Sequence, residues 1–151
     1  MRKRIKLILT IAALAVAFVI AFQAFTIHNI KNTQEEQFAS HIALAAQSLG
    51  EYQKTGYEFM YDDALMELHT ASGIARLLEE DPAYQGLHGV LLAIVGTHHT
   101  FPEDLALFTD EIYAILNHFS TNLDTKNLYA KLKEIDRTLT GMLMERAEKV
   151  E

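Results

Sequence analysis

The chain opens with an uninterrupted apolar stretch and then changes rhythm. From Leu7 to Ile27 it reads LILTIAALAVAFVIAFQAFTI, broken only by Thr10, Gln23 and Thr26. As a helix, a segment of that length spans ~31 Å, close to the ~30 Å hydrocarbon core of a bilayer. A helix is also the only form in which one segment satisfies its own backbone in lipid.

Beyond Ile27 the apolar positions recur at helical spacing. Phe38, Ile42, Ala45, Leu49 and Tyr52 alternate steps of four and three, which places them on one face of a helix from His28 to about Lys54. Thr55-Gly56-Tyr57-Glu58 interrupts it and offers a capping box for the next helix. That second helix is expected from Tyr57 to Glu80, with Tyr61, Leu65, Leu68, Ala75 and Leu78 inward. Asp81-Pro82 stops it and starts a third, since Asp is a good N-cap and Pro is tolerated at the first helical position.

The third helix, Ala83 to about Val95, carries Leu87, Val90, Leu91 and Ile94 and ends near Gly96. Its apolar run is too short, and with His88 too polar, to cross a bilayer. Gly86 and Gly89 within it suggest close approach of a neighbouring helix. Thr97-His98-His99-Thr100 then reads as a loop, and Thr100-Phe101-Pro102-Glu103 as a second capping box. The fourth helix has Leu105, Phe108, Ile112, Ile115 and Phe119. After a polar turn, Ser120 to Asp124, with Asp124 as N-cap, the last carries Leu128, Leu132, Ile135, Leu139 and Leu143 before a charged end from Glu145 to Glu151. No β-branched run of period two appears. The fold class expected is all-α: an N-terminal single transmembrane helix followed by an antiparallel extracytoplasmic bundle of four to five helices.

Charge gives this arrangement a direction. The net charge is −7, but Arg2, Lys3, Arg4 and Lys6 precede the apolar run and all twenty acidic residues follow it. Residues 28–151 hold nine Lys and Arg against twenty Asp and Glu, a net of −11. By the positive-inside rule, residues 1–6 form a basic cytoplasmic tip, residues 7–27 a transmembrane signal-anchor, and residues 28–151 an acidic bundle outside the cell or inner membrane. The rival reading is secretion after signal cleavage near Ala21. Against it, no Gly or Pro breaks the helix before that point. The chain has no cysteine, which excludes disulfides and thiol-linked lipid attachment, and it has no Asn-x-Ser/Thr sequon.

Within the span, Ala13, Ala17 and Ala21 repeat every four residues, a small face suited to helix association in lipid. Candidate chemistry elsewhere is sparse. There is no Gly-x-Ser-x-Gly elbow, phosphate-binding Gly loop or dinucleotide fingerprint, and the expectation is a protein without catalytic activity or cofactor. Histidine is enriched, with seven, at 28, 41, 69, 88, 98, 99 and 118. His98, His99 and Glu103, joined by His41 or His69, form the candidate metal site, because imidazoles and carboxylates suit Zn²⁺, Ni²⁺ or Cu²⁺. No His-Glu-x-x-His or Glu-x-x-His pattern supports it.

The acidic external part argues against nucleic acid and against anionic lipid headgroups as partners. Two functions fit what is left. One is a membrane-anchored interaction or scaffold module of the cell envelope, held in the bilayer through residues 7–27 and meeting an envelope protein or a second copy of itself. The other is a sensor-like helical domain that binds a small ligand or metal and reports through a partner protein.

Overall fold

The computed structural model describes residues 2–100 and 102–148, with the side chains of residues 2–9, 98, 99 and 102 outside the description. It contains α1 (Arg2–Thr55), α2 (Glu58–Leu77), α3 (Leu87–Thr100), α4 (Pro102–Ala106), α5 (Thr109–Asn122) and α6 (Thr125–Glu148), with no strand among the described residues. The chain divides into two units, residues 1–33 and residues 34–151, and α1 contributes to both.

In the first unit, α1 is long and apolar enough to cross a membrane, the one such helix among the described residues. Every side chain from Thr10 to Ile30 is exposed. Thr26 does not interrupt the apolar surface with an unmet donor, because its hydroxyl donates to the Phe22 carbonyl at 2.9 Å. The rings of Phe18 and Phe22 stack one turn apart, 6.5 Å between centroids.

In the second unit the stripes read from the sequence build one core. Phe38, Ile42, Ala45 and Leu49 of α1 are buried, as are Leu65, Leu68 and Ala75 of α2 and Leu128, Leu132, Ile135 and Leu139 of α6. Phe38 is central: its ring meets Tyr84 edge-on at 5.3 Å and Phe119 at 5.7 Å, geometry that suits the aromatic quadrupole. Tyr52 and Leu143, placed on these stripes, are only half-buried.

The joints between helices differ more from expectation. Thr55 ends α1 instead of capping α2. Its hydroxyl donates back to the Glu51 carbonyl at 2.8 Å, and the residue before α2 is Tyr57, without a side-chain cap. Asp81 caps no helix either. Its carboxylate accepts from Ala83 N–H at 2.8 Å, closing a local turn, and the chain passes through Gly86 at φ +81° before α3 begins at Leu87. Gly86 therefore ends the turn rather than lying within a helix, and Gly89 meets no neighbour that a Cβ would touch.

The segment Thr97–Thr100, expected as a loop, is the last turn of α3. Thr97 and Thr100 donate to the carbonyls of Ala93 and Gly96, so the Thr100 hydroxyl closes α3, and no bond from it to α4 appears among the described residues. The single fourth helix is split into α4 and α5 by Leu107 and Phe108, and Leu116 is buried where Ile115 is only half-buried. Asp124 is the joint that holds: its carboxylate accepts from Asn127 N–H at 3.0 Å. Just before it, Leu123 adopts a left-handed conformation, φ 53°, and donates to the Phe119 carbonyl to close α5.

Candidate functional site

The face of α2 opposite its core stripe carries the most suggestive surface. Leu65, Leu68 and Ala75 turn inward, which leaves Phe59, Met60 and Met66 around an open groove whose other walls are Asp62 and Asp63. Asp63 is held in place by Ser48 of α1, whose hydroxyl donates to its carboxylate at 2.6 Å. Tyr57 stacks beside Phe59 with centroids 5.9 Å apart. A ring and flexible thioethers framed by carboxylates can receive an apolar side chain while favouring a cationic neighbour. The groove lies off the buried stripes that helical periodicity picks out, so the sequence pattern does not mark it. The available signal was Phe59 and Met66, seven residues apart and off the core face.

Around the groove, α1 and α2 are pinned by polar contacts. His41 Nδ1 donates to Glu67 at 2.5 Å, a partly buried pair. Tyr61 lies against Tyr52, 5.2 Å between centroids, and burial pushes its phenol up to about 12 despite a hydrogen bond to Thr109. A reciprocal contact joins α2 to α3. The Ser72 hydroxyl donates to the His88 carbonyl at 3.1 Å, while His88 Nδ1 lies 3.1 Å from the Ser72 carbonyl and 2.9 Å from its hydroxyl. These histidines therefore have structural partners.

The residues of the candidate metal site are placed as follows. His98 and His99 belong to the end of α3, and their side chains lie outside the described residues. Glu103 is exposed and faces Arg146 Nη1 at 3.6 Å. His41 is engaged by Glu67, and His69 is exposed. Among the described residues no three His, Cys, Asp or Glu side chains converge as a metal would require. Ala13, Ala17 and Ala21 do fall on one exposed face of α1.

Asp104 is a buried acid without any signal in the sequence pattern. It is 1% exposed, pairs with Arg146 Nη2 at 2.5 Å, and its Oδ2 finds no hydrogen-bond partner among the described residues. This pair ties the end of α6 to α4 across 42 positions of sequence. Tyr84 is also shifted: burial first, then the negative charges of Glu35 and Asp81, raise its phenol to about 12. No protein family model matches the chain, and no curated protein or solved structure matches it either.

Proposed function

We propose that this chain is a single-pass membrane protein whose acidic helical bundle, its helices alternating in direction, stands outside the membrane and acts as an interaction or scaffold module of the cell envelope. The observation that carries the reading is the surface of α1 from Thr10 to Ile30, exposed at every position and apolar at sixteen of its twenty-one residues. Water-soluble proteins rarely leave so large a continuous apolar surface uncovered, and lipid covers it at no cost. Arg2, Lys3, Arg4 and Lys6 favour a cytoplasmic N-terminus. The Ala13, Ala17 and Ala21 face supplies a route to self-association within the bilayer. The reading assigns no catalytic step.

The chain has no cysteine, which makes the test clean. Asn122→Cys, at an exposed helix end, is introduced into the full chain, and intact cells are treated with a membrane-impermeant maleimide. Labelling of a full-mass protein that resists carbonate extraction is the expected result. A protein labelled only after lysis overturns the orientation. A soluble product starting near Phe22 overturns the anchor and points to secretion. Cross-linking in the native membrane, read by mass spectrometry, then tests the interaction role: absence of any cross-linked protein, including a second copy, removes it.

A further inference from the structure

The groove on α2 has two properties that together define what would fill it. Phe59 and Met66 lie two turns apart along one face; each is 60% exposed, as is Tyr57 beside them. The chain that forms it is acidic, with Lys54, just before Tyr57, the nearest cation in sequence. Residues 55–75 hold Glu58, Asp62, Asp63 and Glu67 and no Lys or Arg, and residues 55–125 hold twelve Asp and Glu against Arg76 alone. The basic residues of the bundle gather instead on α6, whose apolar face, Leu128, Leu132 and Ile135, is buried in its own core. Among the described residues of the bundle, no free segment combines positive charge with apolar anchors.

We propose that this groove docks a cationic amphipathic segment of another protein, with its apolar residues seated on Phe59, Met60 and Met66 and its Lys and Arg side chains in the acidic field around them. Two exposed anchors seven residues apart match the i, i+7 spacing by which an amphipathic helix enters a groove. Methionine adapts its shape to the side chain it receives. The carboxylates raise the encounter rate with a cationic segment and reject an anionic one. They also repel anionic lipid headgroups, which makes a protein segment the better occupant. The inference rests on the interaction reading above and narrows it to one surface and one chemistry.

The probe is a labelled amphipathic peptide of Leu and Lys, about 18 residues long, with a Leu and Glu peptide of the same pattern as its counterpart. Each is titrated with the full chain in phosphatidylcholine nanodiscs and with empty nanodiscs. The Leu–Lys peptide is expected to bind the loaded discs only, with affinity falling at least about fivefold from low to high salt. Phe59→Ser combined with Met66→Ser should weaken it at least about tenfold. Leu107→Ser, at a position 71% exposed and outside the groove, should not. All three positions are exposed, and an unchanged far-ultraviolet circular dichroism spectrum verifies the fold of each variant.

Equal binding of the Leu–Glu peptide, full binding by the double variant, or no binding beyond empty nanodiscs overturns the proposal. The broader reading fails separately. If a native partner cross-links equally to the wild type and the double variant, the groove is wrong and the interaction role stands. If nothing cross-links to either, the interaction role falls and the groove with it.

Discussion

Gly86 lies against the ring of Tyr129 so closely that a Cβ added to Gly86 would fall 2.8 Å from Tyr129 Cε2. Lys133 also holds that ring, donating to its hydroxyl at 2.9 Å and lying 5.1 Å from its centroid. The contact fastens the turn before α3 to α6, and the positive φ of Gly86 makes it possible.

Gly86→Ala should therefore destabilise the protein by about 2 kcal/mol, combining left-handed strain with displacement of the ring. Urea unfolding of the full chain in mild detergent measures it. Adding Tyr129→Ala should lessen the further loss caused by Gly86→Ala, because the collision is removed and the backbone strain remains. Purely additive losses would show that the ring contact contributes nothing.

Leu123 offers the opposite experiment. It is an exposed, non-glycine residue held at φ 53° where α5 ends. Leu123→Gly should raise stability by about 1 kcal/mol, since glycine adopts this conformation without the Cβ penalty. The same unfolding midpoint, unchanged or lowered, would contradict this account of the joint.

Arg146→Gln should cost about 2 kcal/mol, because it leaves the buried Asp104 carboxylate without its compensating charge. A fully buried pair typically loses about 3–5 kcal/mol; half of the Arg146 side chain is in solvent, which reduces the effect here. In the Arg146→Gln background, Asp104→Asn should restore part of the loss by removing the stranded charge. A double-mutant cycle reads the coupling directly.

The buried phenols give the protein an alkaline limit. Tyr61 and Tyr84 titrate near 12 in the folded chain against 10.0 for the free side chain. The unfolded chain thus gives up these protons first. Stability is fully present below pH 10 and is lost as pH rises from there towards about 12. Unfolding midpoints between pH ~9 and ~11.5 should fall, and Tyr61→Phe or Tyr84→Phe should flatten the decline.

Helix faces were legible in the sequence because their cause is local and repetitive. Burial of Phe38, Ile42, Ala45 and Leu49, or of Leu128, Leu132, Ile135 and Leu139, follows from spacing alone. Helix ends were less legible because one hydroxyl has two outlets. Thr55 and Thr100 have the residue type of an N-cap, yet each donates to the carbonyl four residues back and closes the helix behind it. The end of α3 was misread for a related reason. Gly96 suggests a stop, but the helix continues through it to Thr100, and no neighbour would meet a side chain there.

The Asp104–Arg146 pair was illegible because nothing local distinguishes a carboxylate bound for the interior from one at the surface. The groove was partly legible. Its charge asymmetry is written in the sequence, whereas its shape depends on which turn of α2 packs against α1.

The place of Phe38 in the core bears on how the protein is made. Its ring closes on Tyr84 and Phe119, both synthesised well after it. A ribosome releases the α1 face long before either partner exists, so Phe38 and Ile42 pass through a period as a naked greasy stripe on a nascent chain. Such stripes are what chaperones and translocation channels retain. Synthesis of the turn before α3 and then of α5 thus releases α1 from its escort, and truncation before Phe119 should leave a product held by quality control rather than a smaller folded protein.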